Sequence, residues 1–230
     1  MNTFTGFDPA AFQFLRDLSH HNDRGWFHEH QAVYKEHLLE PARAFVVAMG
    51  ERLGAVAPGI HADPRVNGSI LRIARDTRFS SDPTPYRTHM ALWFWEGDGP
   101  SRECAGYFMR LDADAVVLGV GVHHFTDRVL GEYRRAVDSD ERGEELERAL
   151  RRAAKAGAEL GRAQWKRVPA PHPPDHPRAG LLRHGGLVAA ITAPLPAEAH
   201  GPDFPAWCAR RWKPLVPLQA WVAGVAAAAG

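Results

Sequence analysis

The chain has little of the material from which several function classes are recognised. Its 230 residues contain only two cysteines, Cys104 and Cys208. Such a pair offers neither zinc-type nor redox-type spacing and no disulfide framework, so a reducing cytosol is the expected compartment. Charge of one sign is equally scarce. Twenty-eight Lys and Arg face 27 Asp and Glu, a formal net charge of +1. That balance does not call for nucleic acid or acidic lipid as a partner. The apolar segment 215–229 is interrupted by Pro217 and Gln219, and it falls short of the roughly 20 residues of a membrane span. The start, MNTFTGFDPAAF, lacks the basic-then-apolar order of a secretory leader. There is no glycine-rich turn of dinucleotide or P-loop type, no H-E-x-x-H and no G-x-S-x-G. The expectation is a cytoplasmic protein with no cofactor, no nucleic acid and no membrane.

What is present is ordinary globular material, 45% hydrophobic and 24% charged, with about 70% of the chain surface buried on folding. The thirteen histidines raise the question of a metal. The neighbours His123 and His124 point to opposite faces of a strand. His172 and His176 sit in a proline-rich loop without helical geometry to align them. No metal ligand set is assigned.

The most informative stretch runs from Ser69 to His89, SILRIARDTRFSSDPTPYRTH. It sets Arg72, Arg75, Arg78 and Arg87 against Asp76 and Asp82, with Ile70, Leu71, Ile73 and Phe79 threaded between them. Charges held beside a core have to be paired. The stretch therefore predicts a fixed Arg/Asp network at the core's edge, closed by a turn at Asp82-Pro83-Thr84-Pro85. Two local forms compete. A helix would align Arg72, Arg75, Asp76 and Phe79. A strand would put Leu71 and Ile73 on one face, and β-branched Ile70 and Ile73 favour a strand through Ala74 followed by a bend.

Arg72, Arg75, Asp76, Arg78, Phe79, Asp82 and Tyr86 resemble the signature Arg-x-x-Arg-Asp-x-Arg-Phe…Asp-Lys-x-x-Tyr-Lys. It belongs to an uncharacterised, mostly bacterial family, domain of unknown function 2461. Asn22-Asp23-Arg24-Gly25-Trp26-Phe27 is similar to that family's Asn-x-Arg-x-Trp-Phe element. Lys166-Arg167-Val168-Pro169 and Asp175-His176-Pro177 resemble its later half. Pro83 and Arg87 stand where the family has Lys. The resemblance spans the whole chain as a single domain, 1–230, and implies kinship without an activity.

In chain order, Asp8-Pro9 opens a short helix with Phe12, Leu15 and Leu18 inward. Trp26 to about Gly54 follows near-helical spacing, with a kink or break at Pro41. Apolar runs at 90–95, 105–111, 115–122 and 187–193 read as strands, the first covered on both faces and the second and third forming a hairpin. Helices are predicted over 126–137, 140–161, 204–213 and 215–229, and 168–180 is a stiff proline-rich connection. The sum is an α+β protein, a mainly antiparallel sheet with helices from the N- and C-terminal parts around it.

The candidate site is built on these elements. Arg72, Arg75, Arg78 and Arg87 are the ligand-binding candidates, because guanidinium groups hold phosphate or carboxylate bidentately. Asp76 and Asp82 should consume two of them. Gly119 and Gly121 leave one face of their strand bare, which suits a ligand or a closely packed helix. Asp76, Tyr86, His89 and His123 are the acid/base candidates. These residues point to a small anionic, phosphorylated ligand, bound or acted upon. The alternative is a non-catalytic domain with a protein partner, its Arg/Asp network structural and Trp207, Trp212 and Trp221 at an interface.

Overall fold

The computed structural model describes residues 3–78 and 80–230; Phe79 of the signature lies outside the described residues. The strands are β1 (Ile60–His61), β2 (Met90–Glu96), β3 (Ala105–Leu111), β4 (Ala115–Val122), β5 (Glu159–Leu160) and β6 (Leu187–Pro194). They form one antiparallel sheet in the order β1-β2-β3-β4-β6-β5, so the protein is α+β as expected. The Asp112 N–H donates to the Ala115 carbonyl at 2.9 Å and closes the β3–β4 hairpin. The chain divides into two compact units.

The first unit comprises Met1–Phe94, Phe108–Leu118 and Thr192–Arg210. Helix α1 (Pro9–His20) begins as Asp8 accepts from the Ala10 N–H at 2.8 Å, with Pro9 in the first turn where no N–H partner is lost. Its buried Phe12, Phe14, Leu15 and Leu18 face an aromatic core that includes Phe4, Phe7, Phe45 and Phe204. Helix α2 (Arg24–Glu29) is capped by Asp23 on the Trp26 N–H, 2.9 Å. Helix α3 (Gln31–Val33), a π-helical turn (Tyr34–Leu39) and α4 (Glu40–Gly54) follow. The break expected at Pro41 lies just before it, in that wider turn. Proline enters α4 within its first turn, where a missing N–H costs nothing.

Residues 69–75 run extended, not helical. Leu71 N–H donates to Ala91 O at 3.0 Å, Arg87 N–H to Ile73 O at 2.8 Å and Arg75 N–H to Pro85 O at 2.8 Å. This pairing puts Ile73 inward and leaves Arg72 and Ala74 outward. Strand β2 is fully buried on one face only. Met90, Leu92 and Phe94 are buried, whereas Ala91, Trp93 and Trp95 are half-buried, which corrects the reading of a run covered on both faces.

The second unit comprises Trp95–Tyr107, Gly119–Ile191 and Arg211–Gly230. Helix α5 (Asp127–Asp138) is capped by Thr126 and α6 (Asp140–Lys155) by Ser139. The predicted extension of α6 to residue 161 does not form. Gly157, at φ +85°, turns the chain into β5 instead. Helix α7 (Ala179–Leu182) precedes β6. Helix α8 (Phe204–Trp212) ends in this unit at Trp212, and α9 (Val216–Ala228) completes it. Trp212 Nε1–H donates to Gly119 O at 3.1 Å, and buried Gln219 accepts from the Gly121 N–H at 3.2 Å. The strip beside the two glycines is thus occupied by packed side chains of the C-terminal segment. No helix among the described residues is long and apolar enough to cross a membrane.

Candidate functional site

In the first unit the Asn22–Phe27 element and the 69–89 stretch meet. The Asn22 side chain donates to the Tyr86 carbonyl at 2.9 Å and accepts from the Tyr86 N–H at 3.0 Å, as a neighbouring strand would. The Phe27 ring stacks on the Tyr86 ring at 4.0 Å between centroids, 16° from parallel. Tyr86 is therefore fixed through its backbone and its ring, and it holds the segment that carries Arg87 and His89.

The turn before it is built by Asp82. Its carboxylate accepts from the Thr84 N–H at 3.0 Å and from the Thr84 hydroxyl at 2.8 Å, the geometry by which Asp initiates turns. Arg75 donates to Asp82 and Thr84, and at 3.3 Å to Ser80. The Thr84 N–H, then Arg75 and the Thr84 hydroxyl, pull the Asp82 carboxyl down to about 2. Arg78 forks onto Asp76 at 2.9 and 2.7 Å and lowers its carboxyl, with Arg72 adding a smaller downward pull.

A carboxyl depressed in the folded state stabilises above its unfolded value, near 3.9, and loses that contribution as pH falls toward 2. Asp82→Asn is expected to flatten the acid limb of a Tm-against-pH curve between about pH 4 and 2 by lowering the Tm at neutral pH, modestly because the carboxylate is exposed, while the Tm near pH 2 stays as in wild type. An unaltered acid limb would contradict this assignment.

Two of the four arginines are thus taken by the two aspartates, as expected. Arg87 Nη1 donates to the Arg72 carbonyl at 2.6 Å, while the exposed Arg72 guanidinium has no carboxylate within ion-pair distance among the described residues. His89 stands two residues on, half-buried, with Nδ1 4.0 Å from Asp112 Oδ1. Burial pushes its pKa below the ordinary 6.5; Asp112 opposes this, and the charges of Arg110 and Arg87 lower it further. Arg110 in turn donates to Asp112 at 2.8 Å. Arg110 and Asp112 were not singled out from sequence. The available signal was that Arg110 is the one charged residue in β3, on its outward-facing parity.

Gly119, Gly121 and His123 belong to the second unit, where His123 is exposed at the end of β4. That unit also holds a pairing sequence reading missed. His176 Nδ1 accepts from the Arg178 N–H at 3.0 Å, which leaves the ring proton on Nε2, 3.0 Å from Asp138 Oδ1; His172 Nδ1 is 3.5 Å from the same oxygen. Among the described residues no group of three or more His, Cys, Asp or Glu is placed to hold a metal. Both cysteines are buried, and burial pushes their thiols up, away from the thiolate form.

Trp207, Trp212 and Trp221 are 8%, 1% and 5% exposed. They fill interior positions, so they offer no aromatic surface to a protein partner.

A family model described as "Conserved hypothetical protein (DUF2461)" matches residues 10–221. No curated protein matches the chain.

Proposed function

The chain belongs to the conserved hypothetical protein family DUF2461, whose description names no activity, and we propose from the site itself that it binds a small anionic ligand. Arg72 and Arg87, with Arg110, supply the cationic surface, and His89 supplies the proton-transfer group. The observation that carries this reading is the electrostatic setting of His89. Burial, more than the charges of Arg110 and Arg87, lowers the pKa of this half-buried imidazole against the opposing pull of Asp112, and the neutral form this favours can take a proton from a bound ligand. Arg75–Asp82 and Arg78–Asp76 serve as scaffold, and exposed Arg72, with Arg87 bound to its carbonyl, supplies guanidinium charge of the kind that meets phosphate or carboxylate.

The protein-interaction alternative has lost the aromatic surface that motivated it. A phosphorylated ligand remains the preferred form of the anion, since several arginines converge on one short stretch.

The test is a thermal-shift screen of inorganic phosphate, sugar phosphates and nucleotides. A ligand at 100 times its Kd stabilises by about 2.7 kcal/mol, which corresponds to a Tm rise of several degrees in a chain of this size. Arg72→Ala is expected to keep the unliganded Tm within about 2 °C of wild type, because exposed charges contribute little to stability; Arg87→Ala also loses the hydrogen bond to the Arg72 carbonyl and is compared at a temperature where it remains folded. Both should abolish the ligand-induced rise. A wild-type protein that no anion in the panel stabilises would defeat the proposal.

A further inference from the structure

We infer that the second unit contains a separate site for a small monocarboxylate with a compact apolar body, in the cavity between the α6 helix and the segment following the proline-rich loop. The cavity measures about 390 Å³, within the size range of small-molecule pockets. Its polar wall is made by Arg178, Arg183 and Glu147, and its apolar wall includes Leu160, Leu181 and Pro177. This is the region of the Asp175-His176-Pro177 element, which the first site does not use.

Two observations point to an oxyanion there. Arg178 is nine-tenths buried, with its side chain 9% exposed. Its Nη atoms donate to the carbonyls of Val137, Ser139 and Asp140 at 3.3 to 3.4 Å, which anchors the group rigidly. The Arg183 guanidinium donates to the Lys166 carbonyl at 3.4 Å and has no carboxylate partner among the described residues. In both side chains Nε is buried without a hydrogen bond; Arg178 Nε has the Glu147 carboxylate as an ion-pair partner, and Arg183 Nε has neither among the described residues. A buried cationic N–H lacking an acceptor is costly, and a ligand oxygen relieves that cost.

Charge selects the class of ligand. Glu147 Oε1 lies 3.5 Å from Arg178 Nε, so the wall already accommodates one carboxylate. His184, 5% exposed, also lines the cavity, and burial and Arg183 lower its pKa, so it adds no charge near neutral pH. Arg178 already has Glu147 at 3.5 Å and Asp140 at 3.9 Å, which leaves Arg183 as the cation of the wall without a carboxylate among the described residues, one positive charge that a monoanion matches. A phosphate dianion would be repelled by Glu147. Leu160, an exposed large hydrophobic on the edge strand β5, would then cover the ligand's apolar body.

The test is calorimetric titration of the intact protein with benzoate, benzamide and inorganic phosphate. Benzoate is expected to bind saturably, and benzamide and phosphate at least about tenfold more weakly, the value of losing a charge-assisted bond. Arg183→Gln should weaken benzoate by a similar factor. Gly180→Leu should abolish binding. Gly180 lines the cavity and a Cβ there meets nothing within 4 Å, so the fold has room for a larger side chain at the cavity wall. Gly180→Leu therefore decides the matter should Arg183→Gln melt early. Arg87→Ala, which removes the first-unit site, should leave benzoate binding unchanged. Absence of saturable benzoate binding overturns the inference. So does equal binding of benzamide or phosphate, or loss of binding in Arg87→Ala with retention in Gly180→Leu.

Discussion

Gly121→Ala is expected to destabilise the protein by roughly 3 kcal/mol or more, among the largest effects of any single methyl added to this chain. Two independent terms produce the loss. Gly121 has φ +119°, a backbone region that side-chain-bearing residues rarely enter, at a cost on the order of 1–3 kcal/mol. A Cβ at this position would also stand 1.9 Å from the Leu187 carbonyl oxygen, which is backbone of β6 and cannot rotate away. Separating the strands to relieve that contact would pull the Gly121 N–H from the Gln219 amide oxygen, leaving a buried donor unmade. The measurement is denaturant unfolding of wild type and variant, compared at equal m-value. Gly180→Ala is the control, since a Cβ there meets open space and alanine is the better helix former; it should be neutral or mildly stabilising. A loss below about 1 kcal/mol for Gly121→Ala would show that β4 and β6 separate easily.

That glycine also marks the limit of what could be read in advance. Alternation along 115–122 showed one bare face and left a ligand or a packed helix to fill it, the helix somewhat favoured. The choice depended on Trp212 and Gln219, more than 90 residues away in sequence, and no local pattern carries such a pairing. Signals confined to a few residues fared better. Asp8-Pro9 and Thr126 open helices because capping is local chemistry. Glu144/Arg148 and Glu147/Arg151 meet at 3.5 and 4.0 Å because they share a helix face. The Asp82 turn formed for the same reason.

The pairing of Arg75 with Asp82 and of Arg78 with Asp76 was legible only as a count, two acids for two of four bases. The partners themselves needed the backbone path. His89 could be nominated from its position after the motif, but its environment could not. Arg110 from β3 and Asp112 from the turn after it reach it, beyond the range of any helical or strand period in the motif. The His172–His176–Asp138 contact and the cavity beside Arg183 are likewise products of the proline-rich segment's route. Proline stiffens such a route without revealing its direction.

Asn22→Ala is expected to cost about 2–3 kcal/mol, the loss of two hydrogen bonds that leaves partly buried backbone groups unpaired. Tyr86 needs a partner for its N–H and its carbonyl, and one amide side chain satisfies both, at 3.0 and 2.9 Å. Alanine offers neither, and in a chain of this size the loss should appear as a Tm fall of about 5–10 °C. Asn22→Asp separates the two bonds. A carboxylate can still accept from the Tyr86 N–H but sets negative charge against the carbonyl oxygen, so it should rescue little. The functional consequence extends beyond stability, because Tyr86 positions Arg87 and, through it, the anion surface. At a temperature where Asn22→Ala remains folded, the phosphate-type ligand should bind at least several-fold more weakly. Benzoate at the Arg183 cavity should bind as in wild type. A variant with unchanged Tm would show that Phe27 stacking alone holds Tyr86. One with lowered Tm but intact anion binding would remove Asn22, and the segment it pins, from the site.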